Sequence, residues 1–193
     1  MNKRQFLAVA ATSSAALPIS ALAKKSNASP TLLTITGAIT NTNRGAIDPA
    51  LDQMMVKQKL QFSKAYAFDF AALSALASTT IKPTLEYDGK PHALKGPFLI
   101  EVLKSIGAEI NKQTKFALRA VDGYAAIVTL EDLQKYRFII ATHLDERPMP
   151  LGGLGPLWAV YDADQYPEMA AKPVNERFGS CPWALYHIDV LNA

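Results

Sequence analysis

The side chains that most often hold metals or attack substrates are scarce in this sequence. It contains three histidines, His92, His143 and His187, and one cysteine, Cys181, among 193 residues. The histidines are far apart and show no i, i+3 or i, i+4 spacing, so the sequence predicts no metal site. Cys181 could act as a nucleophile beside a histidine, but a lone cysteine is more often a buried, inert thiol. It also excludes an intramolecular disulfide.

A second group of chemically useful residues lies between positions 147 and 183 and suits a flat ligand. It contains aromatic residues and an arginine: Trp158, Tyr161, Tyr166, Arg177, Phe178 and Trp183. Aromatic walls with a few fixed donors suit a planar heteroaromatic ligand better than a polymer or a sugar phosphate. The alternative is that these side chains are simply core. The glycine-rich run over 152–155 lacks the Lys-Ser/Thr ending of a phosphate-binding loop and is predicted to be a flexible connection.

Residues 1–23 have the composition of an export signal. Lys3 and Arg4 precede a short apolar run over 6–17, and Ala21-Leu22-Ala23 forms an A-x-A cleavage site. The apolar run is too short to span a membrane. We therefore predict a signal peptide of the ordinary secretory or the twin-arginine type, cleavage after about Ala23, a periplasmic location and no direct membrane insertion.

The charge of the chain disfavours a nucleic-acid partner. The formal net charge is +3, and losing Lys3 and Arg4 with the signal lowers it to +1. The remaining lysines are spread evenly and form no basic stripe for a phosphate backbone. With 49% hydrophobic residues, the chain has enough apolar side chains to fold as one domain.

The elements that must position these residues begin after a polar tether over residues 24–30. We predict one domain over residues 31–193, α+β in class and rich in β-strand. Its main strands are predicted at 31–36, 116–121, 125–130, 138–142, 158–161 and 184–190, from β-branched and apolar runs. Its helices are predicted at 49–59 with Asp48 as the cap, from a capping Asp69 to Leu76, and from Gly96-Pro97 to a terminating Gly107.

Three ordered motifs carry a family resemblance. Residues 94–99 read Leu-Lys-Gly-Pro-Phe-Leu, residues 118–124 read Leu-Arg-Ala-Val-Asp-Gly-Tyr, and residues 155–161 read Gly-Pro-Leu-Trp-Ala-Val-Tyr. In order and spacing they resemble the sulfite-oxidase-type molybdopterin-binding domain over about residues 31–190. They are most similar to its small stand-alone exported version. The resemblance implies a β-rich mixed α+β fold that binds a pterin or molybdopterin.

The resemblance also bears on catalysis. Enzymes of this family hold molybdenum through a cysteine in the extended segment before the Gly-Pro helix, whereas residues 79–88 contain none and Cys181 lies far along the chain. A hydroxyl or a carboxylate is a poor substitute for a soft thiolate ligand. We therefore expect no catalytic residue and no molybdenum ligand. A reduced pterin is the expected ligand, and molybdopterin stays open.

Some members of this small class resemble non-catalytic pterin-binding proteins of the periplasm. They pass pterin occupancy to the periplasmic domain of an inner-membrane protein that makes and degrades cyclic di-GMP, and so to biofilm control. This role is the first expectation for the chain. Two alternatives stay open: a molybdopterin-dependent oxidoreductase with atypical metal ligation, and a ligand-free scaffold protein.

The resemblance implies a pterin cleft between the turn at 122–124, the strand that begins at Trp158 and the loop over 177–183. We expect Trp158 or Trp183 to stack on the bicyclic ring. Asp122 is expected to accept hydrogen bonds from the 2-amino and N3 groups of the pterin, or else to cap its own turn. The other expected ligand contacts are His92, Tyr124, Tyr161, Arg177, Ser180 and Cys181. For Arg177 the alternative is a surface ion pair with Glu168 or Glu176.

Overall fold

The computed structural model describes residues 29–192, and the predicted signal peptide lies outside this part of the chain. Within it, the strands are β1 (Thr31–Gly37), β2 (Tyr66–Asp69), β3 (Ser78–Ile81), β4 (Leu94–Pro97), β5 (Lys115–Ala120), β6 (Ala125–Thr129), β7 (Ile139–Ala141), β8 (His143–Leu144), β9 (Arg147–Pro148), β10 (Trp158–Val160) and β11 (Leu185–Leu191). The α-helices are α1 (Gln53–Lys57), α2 (Phe70–Ser74), α3 (Leu99–Ser105), α4 (Leu130–Tyr136) and α5 (Pro167–Ala170). The fold is α+β and rich in strand, as predicted.

A five-stranded sheet forms the centre of the fold, in the order β2-β1-β11-β5-β6. β1 and β11 are parallel, with Thr34 opposite His187, and the other neighbours are antiparallel. Side chains alternate along β1, so that Leu33 and Ile35 lie fully buried in the main core. β11 is the middle strand, and the segment that leads into it carries Trp183.

Two smaller sheets, β3-β4-β8-β9 and β10-β7, complete the strand framework. Gly96 in β4 passes so close to β7 that a Cβ atom there would lie 1.9 Å from the carbonyl oxygen of Ile140. Gly96-Pro97 therefore ends a strand and does not open the helix as predicted, because the close strand contact admits only glycine. α3 begins at Leu99, and Gly107 follows it with a φ of 65°, which confirms the predicted helix end.

The two helices before β3 differ in how well local signals predict them. The sequence predicts a helix over 49–59, but α1 covers only Gln53–Lys57. The Asp48 carboxylate accepts two backbone N–H groups of a separate turn, at 2.8 and 3.1 Å, and the regular helix begins after that turn. The predicted cap at Asp69 is confirmed, because its carboxylate accepts the N–H of Ala72 at the start of α2.

The main core extends across all three sheets and holds the largest side chains. Trp158, Tyr161, Phe116 and Phe138 are each at most 1% exposed. Burying a large apolar side chain contributes roughly 1.5–3 kcal/mol to stability, so these four residues are part of what holds the sheets together. Among residues 29–192, no helix combines the length and apolar character needed to cross a lipid bilayer.

Candidate functional site

A cleft of about 300 Å³ opens beside the β5–β6 turn and the segment that leads into β11. Its lining residues come from four parts of the chain and are Glu86, Tyr87, Ala120, Asp122, Tyr124, Trp158, Phe178, Gly179, Cys181, Pro182 and Trp183. This volume is at the lower end of the roughly 300–1,000 Å³ that is usual for small-molecule sites. The cleft contains most of the residues that the sequence and the resemblance assign to ligand binding, and we call it the aromatic cleft.

The aromatic cleft has a buried floor and exposed walls. Trp158 forms the floor, where it is 1% exposed and lies 5.8 Å from the ring of Phe178. Trp183, Tyr124 and Tyr87 are 38%, 48% and 59% exposed. Of the two tryptophans expected to stack on a ligand, Trp183 has the accessible ring. Trp158 supports the site from below.

Hydrogen bonds fix the loop over 178–183 to its neighbours. The indole N–H of Trp158 donates to the carbonyl oxygen of Cys181 at 2.9 Å. The Tyr124 hydroxyl donates to the carbonyl oxygen of Gly179. These two bonds join the loop to β10 on one side and to the β5–β6 turn on the other. The walls of the aromatic cleft are therefore held in place without a ligand.

Two carboxylates line the aromatic cleft. One oxygen of Asp122 accepts the backbone N–H of Tyr124 at 2.9 Å, which is the turn-capping role that the sequence left open. The second oxygen accepts no hydrogen bond from the described residues. Partial burial, and then the hydrogen bond and negative charge of the neighbouring Glu86 carboxylate, raise the pKa of Tyr87 to about 12.

The only thiol in the aromatic cleft is buried and protonated. Cys181 is 4% exposed, and burial raises the pKa of its thiol far above the usual range. A buried thiol that keeps its proton is a poor nucleophile. Within residues 29–192, no group of three His, Cys, Asp or Glu side chains is arranged to hold a metal. The aromatic and carboxylate groups of the cleft suit a flat heteroaromatic ligand.

Arg177 lies outside the aromatic cleft, contrary to expectation. Its guanidinium donates to Asp164 at 2.7 Å and to the backbone carbonyl oxygens of Lys172 at 2.9 Å and Ala170 at 2.8 Å. An arginine engaged by three acceptors has few donors left for a ligand. The ion pair is with Asp164 and with neither of the glutamates that the sequence offered.

Tyr161 and His92 also lie outside the aromatic cleft. Tyr161 is a core residue that donates to the carbonyl oxygen of Arg177 at 2.6 Å. His92 bridges two carboxylates, Asp145 at 2.7 Å and Asp88 at 3.0 Å. The hydrogen bond with Asp145, followed by that with Asp88, raises the pKa of His92. The bridge ties the turn before β4 to the β8–β9 turn.

One residue expected in the aromatic cleft does not line it, and two residues that were not expected there do. Ser180 is half-buried next to Cys181 but does not line the cleft. Glu86 and Tyr87 line it although the sequence interpretation did not name them. They lie within the segment over 79–88, for which the sequence interpretation considered only the absence of a cysteine. The Asp88-Gly89 turn signal shows that this segment ends in an exposed bend, which could have marked them as accessible.

Comparisons with known proteins support the fold but assign no function. No protein-family model matches the chain, and no curated protein is similar to it in sequence. Among solved structures, the sulfane dehydrogenase SoxCD from Paracoccus pantotrophus matches with a TM-score of 0.53 and 11% sequence identity. The match covers 83% of this chain and 38% of that chain, so the present protein spans well under half of its length. The likeness confirms the predicted strand-rich α+β fold of sulfite-oxidase type.

Proposed function

We propose that this protein binds a reduced pterin in the aromatic cleft and does not catalyse a reaction there. One observation carries this proposal: exposed aromatic rings and a carboxylate with a free oxygen meet in one cleft whose single thiol is buried and protonated. Flat rings bind flat rings by stacking, and a free carboxylate oxygen can accept a hydrogen bond from the amino or ring N–H group of a pterin. The same groups offer no activated nucleophile.

The residues have distinct roles in this proposal. Trp183 stacks on one face of the bicyclic ring, and the Trp158 floor limits how deeply the ring enters. Asp122, through its free oxygen, accepts from the 2-amino or N3 group, and Glu86 supplies a second carboxylate. The exposed phenol of Tyr87 lies next to Glu86 and forms part of the wall of the cleft.

We further propose that pterin occupancy is relayed to the periplasmic domain of an inner-membrane protein that makes and degrades cyclic di-GMP. This role rests on the family resemblance and on the predicted export signal. The exposed rim formed by Tyr87, Tyr124 and Trp183 supports it, since a ring bound there changes a surface that another protein can contact.

The test is a fluorescence titration of the purified mature protein with 7,8-dihydropterin. Trp183→Ala and Asp122→Asn should each weaken binding about tenfold or more, since each removes a stacking face or an ionic acceptor worth roughly 1.4 kcal/mol. Ile127→Ala and Glu101→Gln, an exposed apolar and an exposed acidic residue outside the cleft, are the matched controls. Equal affinity in all five proteins would exclude this site.

Metal and pterin analysis of protein purified from the periplasm separates the alternatives. Stoichiometric molybdenum with a pyranopterin would favour the oxidoreductase and contradict the non-catalytic role. Absence of pterin binding in either oxidation state would favour a ligand-free scaffold. A fluorescent reduced pterin without molybdenum is the expected result.

A further inference from the structure

A second cleft, of about 550 Å³, lies beside the aromatic cleft and shares two of its lining residues. Tyr87 and Trp183 line both, so the two spaces adjoin at these exposed side chains. We call the second space the side groove, and its other lining residues are Val121, Leu151, Gly152, Gly153, Leu154 and Ala184. A ring that stacks on Trp183 in the aromatic cleft therefore lies next to the side groove.

The side groove is lined by apolar side chains. Leu151 and Trp183 are exposed, Leu154 is half-buried and Ala184 is buried. None of the side chains that line the groove carries a charge at neutral pH. Exposed apolar side chains that gather in a concave surface are typical of the part of a site that covers an apolar group of a ligand.

Backbone hydrogen bonds fix the walls of the side groove. The N–H of Ala184 donates to the carbonyl oxygen of Leu154 at 3.0 Å, and the N–H of Val121 donates to the carbonyl oxygen of Ala184 at 3.1 Å. These bonds join the glycine-rich loop, the segment before β11 and the end of β5. The groove therefore exists before a ligand arrives, which lowers the entropy cost of binding there.

The charges around the two spaces are all negative. In the part of the chain that the structure describes, no lysine, arginine or histidine lines either the aromatic cleft or the side groove. The only charged side chains there are those of Glu86 and Asp122. Proteins recognise phosphate and carboxylate groups chiefly through arginine and lysine. A phosphorylated ligand would meet two carboxylates here and no opposite charge on a side chain.

We propose that the ligand is an unphosphorylated pterin that carries an uncharged, apolar substituent such as an aryl group. This inference rests on the proposed pterin function and narrows its ligand class. The bicyclic ring lies in the aromatic cleft, and the substituent extends past Tyr87 and Trp183 to lie against Leu151. A polyol substituent fits less well, because the side chains of the groove offer it few hydrogen-bond partners.

The apolar part of the proposal is tested by isothermal titration of the mature protein with two neutral compounds, 7,8-dihydropterin and 6-phenyl-7,8-dihydropterin. The phenyl compound should bind about tenfold more tightly or better, because its extra ring is removed from water in the side groove. A phenyl compound that binds no more tightly than 7,8-dihydropterin would overturn the proposal.

A matched pair of variants locates the substituent. Leu151 is 70% exposed and Leu51, which lines neither space, is 83% exposed, so replacing either should leave the fold intact. Leu151→Ser should lower the affinity for the phenyl compound about threefold or more and leave that for 7,8-dihydropterin unchanged. Leu51→Ser should bind both compounds as the wild type does. Full affinity of Leu151→Ser for the phenyl compound would contradict the placement in the side groove.

The charge part is tested with 6-hydroxymethyl-7,8-dihydropterin and its phosphate monoester. The phosphate ester should bind about tenfold more weakly than the alcohol or worse, and the difference should shrink in about 1 M sodium chloride because salt screens the repulsion. A phosphate ester that binds as tightly as the alcohol would overturn this part.

Failure of this inference is distinct from failure of the pterin proposal. If 7,8-dihydropterin binds, and binds more weakly to Trp183→Ala and Asp122→Asn, while the phenyl group adds no affinity, the pterin site stands and the side groove is removed from it. If none of the four compounds binds, the proposed function is wrong and this inference falls with it.

Discussion

At the scale of single residues, Arg177 shows how a side chain can serve the aromatic cleft without lining it. It holds Asp164, whose other oxygen accepts the backbone N–H of Thr84 at 2.7 Å. Thr84 leads directly to Glu86 and Tyr87 in the wall of the cleft. The arginine is therefore a positioning residue, and its effect on a ligand passes through the loop that carries these two side chains.

Replacing this arginine should cost stability and affinity together. Arg177→Met removes hydrogen bonds to two carbonyl oxygens and a partly buried carboxylate, so we expect a loss of about 2–3 kcal/mol in the free energy of unfolding. Urea denaturation measures it. Lys104→Met, which removes an exposed pair with Glu101, should cost under about 1 kcal/mol.

Dihydropterin affinity should also fall in Arg177→Met, because the loop over 84–87 loses its support. An unchanged free energy of unfolding together with unchanged affinity would remove Arg177 from any positioning role. A fall in stability with full affinity would show that the loop keeps its place by other contacts.

At the scale of elements, the parallel contact between β1 and β11 buries a histidine. A nitrogen of His187 and the hydroxyl of Thr36 lie 3.0 Å apart, and the other ring nitrogen has no partner among the described residues. Burial, and then the positive charges of Arg119 and Arg44, lower the pKa of His187 to about 3. The central sheet is therefore built around a neutral imidazole.

This histidine should make the fold sensitive to acid. Unfolding restores an ordinary pKa near 6.5. Between pH 6.5 and about pH 3, the unfolded chain therefore binds a proton at this histidine that the folded chain does not bind. The free energy of unfolding is therefore unaffected by this histidine above pH 6.5. Below that pH it falls by up to about 1.4 kcal/mol per pH unit. Urea denaturation at pH 7, 6, 5 and 4 measures the slope.

The comparison protein is His187→Gln, which has no proton to gain at this position. Its stability should fall less steeply with acid than that of the wild type, although carboxylates contribute equally to both. Parallel stability profiles from pH 7 to pH 4 would show that His187 does not control the acid response.

Local signals predicted the elements better than they predicted the site. The cap at Asp69 and the helix end at Gly107 depend on residues a few positions away, and both predictions are confirmed. Arg177 and His92 take partners that only the folded chain brings near, Asp164 and Asp145, and no local pattern reveals such partners. Side-chain roles therefore required the tertiary structure.

At the scale of the whole molecule, the aromatic cleft is assembled from distant parts of the chain. The turn before β4, the β5–β6 turn, the start of β10 and the loop before β11 all contribute to it. A ligand that binds there contacts all four parts and binds only the folded chain. Ligand binding should therefore raise the free energy of unfolding of the whole domain.

The expected stabilisation follows from mass action. At a dihydropterin concentration one hundred times the dissociation constant, the free energy of unfolding should rise by about 2.7 kcal/mol. Thermal denaturation followed by circular dichroism should show a midpoint several degrees higher. Trp183→Ala should lose this shift at the same ligand concentration, whereas Ile127→Ala should keep it. An equal shift in both variants would mean that the ligand binds elsewhere.

The placement of the two tryptophans gives the protein a built-in optical reporter. The sequence contains only these two, and both line the aromatic cleft, one as its buried floor and one on its exposed wall. A buried indole emits at shorter wavelength than one in contact with water, so the emission spectrum separates floor from wall. A ring stacked on Trp183 should quench the long-wavelength component and leave the emission of Trp158 as the dominant signal. Occupancy can thus be followed in the unlabelled protein, through its own fluorescence.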